Sequence, residues 1–407
     1  MRRVILARMN SSFAPLRCAV VGANRGQTFI EAAKRQAGQV ELVALCDTNP
    51  DALLKWQNED GIRCYHDYQQ LLDDENVDVV CIATPVPLHA RQAILALESG
   101  KHVLSEVTAA YTMDECWDLV EAVERTKKTY MMAENYCYMR ENLLLQNMVE
   151  QGVFGDITYA SGAYLHDCRE LLWNENEELT WRGDLRGKYY GNTYPTHSLG
   201  PVSRWLGIGK TDRYKTTATW GTRSLAIPDF AARNFPHRPE YFAPGAFPGN
   251  DNAITMLKTE KGIVVEIRVD WASPRPHNMA RHELQGTRAS YTTQEPGRES
   301  LIWIEGRSET NSKGVAGKWE AVSNYYQEFE HPLWREHLLD AEKAGHGGGD
   351  FFVLREFAAA IREERAPMID VYDAVTWSCI TPLSMKSIDE NNGAVEVPDF
   401  KKPRRVF

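Results

Sequence analysis

The sequence predicts an α/β protein in two parts: an N-terminal domain on a doubly wound parallel sheet, then a C-terminal α/β domain with a large, mostly antiparallel open sheet. Three observations lead there. From Leu16 onward, short apolar runs alternate with amphipathic stretches, the pattern of βαβ units. After Asn135, strand-like runs follow one another instead of alternating with helices. A length of 407 residues suits two or three domains, with a core that needs no covalent staples.

Taken in order, the strands of the first part are expected at 16–21, 40–46, 77–83, 102–105 and 130–133, and its helices at 27–36, 50–59, 67–74, 87–99 and 113–127. The last helix is the plainest. MDECWDLVEAVERT places Cys116, Trp117, Val120 and Val123 on one face, opens on acidic residues and closes on Arg125. A helix at 139–150 leads into strands at 156–165, 214–220, 253–258, 262–271 and 300–304. Loops at 171–200, 223–252 and 272–298 are of a length that is usually functional or disordered. Helices at 350–364 and 371–389 finish the chain. The expected division is an extension at 1–15, a first domain at 16–136 and a second at 137–407.

Composition removes several classes of function. The formal charge of −10 argues against binding polyanions through counterion release, so nucleic acid is not an expected partner. No apolar run approaches the roughly 20 residues of a membrane span, and the basic start is too broken for a secretory leader. The eight cysteines form no Cys-x-x-Cys pair and no metal-like cluster, so they read as reduced thiols in a cytoplasmic protein without a metal site. The chain has 17 Tyr, 11 Trp and 11 His, a surplus that suits a site for polyhydroxylated ligands and equally suits a packed core.

The turn after the first strand reads VVGANRGQTF. A Rossmann dinucleotide-binding fold needs a glycine for the tight turn, a close backbone approach to the pyrophosphate, and helix N-terminal amides facing the anion. Gly22 and Gly26 can meet the first and last needs, although G-x-x-x-G is one residue shorter than the usual spacing. Asn24 stands near the missing glycine's place and tolerates left-handed angles; with Arg25 it joins the cofactor candidates. Asp47 lies 25 residues after Gly22, at the end of the second strand, where a carboxylate accepts from a ribose diol and repels a 2′-phosphate. Thr48, not an arginine, follows it. The expected cofactor is therefore NAD. A plain strand–turn–helix with a surface Asp would look the same up to this point.

IATPVPLHA at 82–90 and GKHVLSEVTAAYT at 100–112 add the next signal. With them the chain resembles the Gfo/Idh/MocA family of NAD-dependent sugar enzymes from Leu16 to Phe400. The resemblance implies that Thr84, Pro85, His89, Glu106, Val107 and Asn135 lie against the cofactor; for His89, a helix N-terminal residue with local bonds is the alternative. Most dehydrogenases of the family carry Glu-Lys-Pro where this chain has Glu106, Val107 and Thr108. Valine cannot donate, accept or carry charge, so the acid/base work is either lost or done elsewhere.

Longer runs point to one branch. AENYCYMRENLLLQNMVEQGVFGDI, SGAYLHDCRE, GNTYPTHSLGPVSRWL, HGGGDFFVL, DVYDAVTWSCITPLS and VEVPDF are similar to the NAD-dependent α-N-acetylgalactosaminidases of glycoside hydrolase family 109. The implied reaction oxidises a sugar at C3 by hydride transfer to NAD, removes the acidified C2 proton, eliminates the C1 substituent, adds water and reduces the ketone again. His197 is then the acid/base at the C3 hydroxyl, Tyr164 the base toward C2, and Tyr194 a donor to sugar or nicotinamide. Each has a packing role as its alternative. Arg169, His166 and Arg182 are the groups near enough in sequence to tune Tyr164. Arg182, Arg275, His277 and His346 are substrate-binding candidates, and His277 stands where a tyrosine is common in the branch. Glu134 either orients the site or starts the next helix.

Three functions remain open on this reading: an NAD-dependent glycosidase acting on a terminal hexose, a sugar or glycoside 3-dehydrogenase, and a catalytically silent sugar or cofactor binder. The expected partner is a small glycoside or oligosaccharide. A homo-oligomer is expected because open antiparallel sheets often pair faces between subunits.

Overall fold

The computed structural model describes residues 14–36, 39–276, 278–315 and 317–404. His277 and most of the N-terminal extension therefore lie outside the described residues. The first sheet contains β1 (Leu16–Val21), β2 (Val40–Cys46), β3 (Arg63–Tyr65), β4 (Val79–Ile82), β5 (His102–Ser105) and β6 (Tyr130–Met132). Its order is β3-β2-β1-β4-β5-β6 with every pair parallel. Both faces are covered, so β4 is buried along its whole length, as a continuous apolar strand must be. After β1 the chain runs outward through β2 and β3, then crosses to the other side of β1 for β4. That reversal opens a crevice at the carboxyl ends of β1 and β4.

Around this sheet lie α1 (Gln27–Arg35), α2 (His89–Glu98) and α3 (Met113–Thr126). The capping box expected of an S/T-x-x-E start is present on α3, where Thr112 and Glu115 satisfy each other's backbone amides. The connection to the second part is a 3₁₀ turn, Asn135–Tyr138, followed by α4 (Arg140–Glu150).

The second sheet has nine strands: β7 (Ile157–Leu165), β8 (Tyr214–Gly221), β9 (Asn252–Thr259), β10 (Val264–Asp270), β11 (Asn278–Gly286), β12 (Ala289–Thr292), β13 (Leu301–Ile304), β14 (Glu320–Ala321) and β15 (Val395–Glu396). They are ordered β14-β13-β12-β11-β7-β10-β9-β8-β15, and β7 with β10 is the only parallel pair among them. Burial alternates along β9, as it does on a sheet with one covered face. The helices of this part include α5 (Trp181–Lys188), α6 (Thr196–Leu206), α7 (Gly349–Arg362), α8 (Val371–Ser378) and α9 (Ile380–Asp389), of which α6 and α9 lie on the second sheet. Helix α6 packs across β7, β10 and β11, while α7 and α8 return to the first sheet's layer against α1, α3 and β6.

The sequence expectations fail in identifiable places. The stretches read as loops contain α5, a helix at Ala226–Asn234 and both β11 and β12. Helix α5 has two glycines and four charges in eight residues, and β11 (NMARHELQG) carries no apolar run, so neither shows the periodicity that marks an element. Strand β3 is only three residues long. The helix expected at 50–59 ends at Leu53. The helix expected at 371–389 is broken at Cys379, because Pro382 has no N–H for the Ser378 carbonyl.

Two elements meet without space for a side chain. A Cβ on Gly162 in β7 would stand 2.3 Å from the Ser198 carbonyl oxygen in α6. Gly162→Ala is expected to lower stability by about 1–3 kcal/mol through overpacking. A fall in the denaturant midpoint, read by fluorescence, checks it; an unchanged midpoint refutes the close approach.

Candidate functional site

The crevice is built for backbone contact. Gly22 follows β1 at φ 87°, and a Cβ there would lie 2.5 Å from the Ala83 carbonyl oxygen beyond β4. Gly26 caps α1, and its Cβ would meet Val20 at 2.4 Å and the Gly22 oxygen at 2.6 Å. The Ala23 amide donates to Asp47 Oδ2 at 2.8 Å and the Asn49 amide to Oδ1 at 2.9 Å. These bonds fix the carboxylate beside the glycine turn and leave each oxygen a second lone pair for a ribose hydroxyl. The G-x-x-x-G turn thus keeps the free helix amides and bare surface that a dinucleotide needs. Asn24 and Arg25 are both exposed on this turn, and Arg25 crosses to Glu106 at 2.9 Å.

On the other wall, Thr84 Oγ1 donates to Gln92, and both ring nitrogens of His89 face backbone carbonyls, Thr84 at 2.7 Å and Thr108 at 2.8 Å. His89 therefore ties together the loops after β4 and β5 instead of presenting a nitrogen to a ligand. Burial pulls its pKa down against those two carbonyls. Val107 is buried next to Glu106, and the Val107–Thr108 peptide is cis. Pro85 precedes the short turn that opens α2. A narrow cleft lined by Thr28, Glu106, Asn135 and Asp350 runs from the glycine turn past the end of β6.

At the end of that cleft, two carboxylate–histidine pairs flank Tyr136. Glu134 is fully buried, and its Oε1 accepts from His197 Nδ1 at 2.8 Å and from the Tyr136 amide at 3.2 Å. With Nδ1–H so committed, the lone pair of a neutral His197 lies on Nε2. Glu134 Oε2 and Asn135 Oδ1 are buried without a protein partner. In the second pair, His346 donates to Asp350 Oδ2 at 2.8 Å, and Asn135 Nδ2 donates to Asp350 Oδ1 at 2.7 Å. The bond to Asp350 raises the His346 pKa; burial pushes Asp350 up, but the bonds from His346 and Asn135 outweigh it and hold the carboxyl below its ordinary range.

An aromatic wall surrounds His197. Tyr136 stacks on its ring at 4.1 Å and 11°, and the rings of Tyr164 and Tyr194 each lie 5.1 Å away. The Tyr164 hydroxyl is 2.8 Å from His166 Nδ1. Burial raises the pKa of Tyr164, which Arg182 opposes, and burial raises Tyr194 and Tyr136 as well. Arg169 is occupied by both oxygens of Asp167, so of the three groups proposed to tune Tyr164, His166 and Arg182 remain. Arg275 is half-buried with an unpartnered Nε, and His277 lies outside the described residues. Sequence reasoning missed Tyr136, Trp271, Arg186 and Asp350. Tyr136 directly follows Glu134 and Asn135, and Asp350 lies four residues after His346 in HGGGDFFVL, either of which could have drawn attention to it; Trp271 and Arg186 lie in none of the runs that carry the resemblance.

Comparison with known proteins agrees with this architecture. Residues 16–134 match the model for the oxidoreductase family with an NAD-binding Rossmann fold, and residues 138–406 match the glycosyl hydrolase 109 C-terminal domain. A glycosyl hydrolase family 109 protein of Solibacter usitatus is 32% identical over 412 residues, covering 96% of this chain and 90% of that protein. One from Shewanella putrefaciens is 35% identical over 381 residues, covering 89% and 80%. A levoglucosan dehydrogenase in complex with NADH shares the fold, with a TM-score of 0.75 at 22% identity over 94% of this chain and 99% of that one. No helix among the described residues is long and apolar enough to cross a membrane. These matches along both parts, on a fold that joins a glycine crevice beside Asp47 to a second part that brings His197, Tyr164 and Tyr194 together, place the chain in glycosyl hydrolase family 109, with an NAD-binding Gfo/Idh/MocA Rossmann domain at its N-terminus.

Proposed function

We propose that the protein is an NAD-dependent glycosidase that cleaves a terminal hexose, N-acetylgalactosamine being the candidate its resemblance names, through transient oxidation at C3. The observation that carries this reading is the buried Glu134–His197 pair facing Tyr164, in a chain whose Val107 has no acid/base capacity. Residues 16–136 form the cofactor half and 137–407 the sugar half. Gly22, Asn24, Arg25, Gly26 and Asp47 hold the dinucleotide, and Thr84, Pro85, Glu106, Val107 and Asn135 line its reactive end. NAD, when bound, supplies a reversible hydride acceptor.

His197 Nε2 takes the proton of the C3 hydroxyl as that carbon is oxidised, and Glu134 stabilises the imidazolium that forms. The C3 ketone acidifies the C2 hydrogen, which Tyr164 removes. A phenol whose pKa is raised by burial needs a proton acceptor of its own, and His166 at 2.8 Å is that acceptor. The C1 substituent leaves by elimination, water adds at C1, and the same groups return their protons as C3 is reduced. Tyr136, Tyr194 and Trp271 exclude water from the ketone stage. Arg182, Arg275 and His346 serve the sugar. A cytoplasmic location is proposed from the eight unpaired thiols, and a homo-oligomer from the open outer face of the second sheet, where Trp220 and Ile254 are exposed.

A panel of nitrophenyl glycosides read for both nitrophenol and NADH tests the reading: aglycone release without accumulating NADH is expected, and stoichiometric NADH would replace it with a glycoside 3-dehydrogenase. His197→Ala is expected to lower turnover by about 10²–10⁴-fold with bound NAD unchanged; normal turnover sinks the assignment. In heavy water, Tyr164→Phe should slow entry of deuterium at C2 of the product more than it slows hydride transfer. If deuterium never enters C2 in the unsubstituted protein, elimination is not the route.

A further inference from the structure

One ring beyond Tyr194, the structure holds a positive charge that nothing neutralises. Tyr194 meets Trp271 edge-on at 5.3 Å, and the Arg186 guanidinium lies 4.9 Å over the Trp271 ring. Arg186 is 4% exposed. Its Nε and Nη1 are buried without a hydrogen-bond partner, and so is Trp271 Nε1. Arg186 and Trp271 line one small cavity together with Tyr111, Arg182, Leu185 and Thr193. The hydroxyl of Tyr111 is already given to the Thr193 carbonyl at 2.7 Å. Arg182, stacked on Trp181 at 4.3 Å, brings a second guanidinium to the same wall.

The nearby carboxylates are committed elsewhere. Asp251 and Asp270 are the acidic groups whose fields reach Arg186. Asp251 accepts from the Leu225 and Ala226 amides, and Asp270 pairs with Arg268 at 3.3 Å and accepts from the Ala272 and Ser273 amides. Among the described residues, neither Arg182 nor Arg186 forms an ion pair with a carboxylate. An arginine cannot escape burial by losing its proton, and an uncompensated buried charge is costly. Three orphaned donors with no carboxylate among the lining residues favour a ligand that carries negative charge. A lone water can accept from two donors at most and brings no negative charge to the guanidinium. The cavity has room for about one small polar group and not for a sugar ring.

We propose that Arg186 and Trp271, with Arg182 beside them, form a carboxylate subsite, and that the sugar this protein accepts carries an acidic group that reaches one ring past Tyr194. The proposal rests on the reading that the pocket beside His197 takes a sugar, and it adds a substrate class to that reading, a uronate-type glycoside.

Calorimetric titration of the NAD-loaded protein with galacturonate, galactose and acetate tests it without requiring turnover. Galacturonate is expected to bind about tenfold or more tightly than galactose, the worth of a charge-assisted hydrogen bond. Acetate alone should bind far more weakly than galacturonate. In Arg186→Met the preference for galacturonate should vanish while galactose affinity stays the same. The melting temperature of this variant should equal or exceed that of the parent, because an unpaired buried charge has been exchanged for an apolar side chain. Equal affinities for the two sugars overturn the proposal, as does acetate binding as tightly as galacturonate, which would mark a free-anion site. A lower melting temperature with an intact galacturonate preference also overturns it, making Arg186 a packing cation on Trp271. If Arg186→Met fails to fold, the comparison of the two sugars on the parent protein decides alone. Should every glycoside go uncleaved while the galacturonate preference holds, the glycosidase reading falls and the carboxylate subsite stands.

Discussion

The site depends on one buried bond, Glu134 Oε1 to His197 Nδ1. Glu134 ends the run out of β6, and His197 is the second residue of α6, so the bond joins the cofactor sheet to the helix that covers the second sheet. The carboxylate is completely out of water, which makes its loss of hydration expensive unless both of its oxygens find partners. The protein partners only one of them; Oε2 is left toward the site. Close packing then fixes the position of the pair. A Cβ on Gly200 would stand 2.9 Å from Glu134 Cγ, and one on Gly162 would meet the Ser198 carbonyl. Helix α6 has glycine beneath it on one side and glycine within it on the other. Its first turn can therefore sit close enough to both sheets for a histidine to bridge them.

The parallel strands were legible because strands buried on both faces must be apolar throughout, and helices between them must be amphipathic. Asp47 and the two glycines were legible for the same kind of reason: few residue types satisfy a tight turn and a ribose diol. The second sheet was legible only in its apolar strands. Strand β11 is central in order yet polar in sequence, because its neighbours on both sides supply backbone partners and only alternate side chains face the core. In the site, His197, Tyr164 and Tyr194 could be picked out from motif and resemblance. Tyr136 and Asp350 lie inside runs that carry the resemblance but were not singled out, since one stacks and the other holds a histidine, and neither task leaves a spacing signature. His89 shows the opposite error: a histidine beside a cofactor crevice invites a role in binding, yet both of its nitrogens are used to hold backbone.

On the proposed reading, Val107 accounts for the acid/base group lying on α6. A lysine at that position would bring an ammonium to the end of β5 and with it a proton for the C3 oxygen. Valine leaves that wall apolar, and the proton acceptor must come from across the crevice. His197 has the reach because α6 begins at the crevice, and the orientation because Glu134 holds its other nitrogen. On that reading, acid/base capacity lies on the part of the chain that follows the Rossmann domain. A histidine there can exchange protons with the substrate without a permanent cation beside the nicotinamide.

The charges of the site follow the same logic. Three carboxylates stand near the crevice, and each has one basic partner: Glu106 with Arg25, Glu134 with His197, Asp350 with His346. The phenols of Tyr136, Tyr164 and Tyr194 are held protonated by burial. The reacting end is thus close to electrically balanced, which suits a ketone intermediate whose developing charge must be met by protons placed one at a time. Beyond Tyr194 the balance fails, with Arg182 and Arg186 present and no carboxylate paired to either. In a chain with a formal charge of −10, a buried cationic spot without a counter-charge is not a consequence of composition. A ligand of opposite charge would recover its free energy, and because Trp271 is in ring contact with Tyr194, the proposed subsite assigns that charge to the substrate.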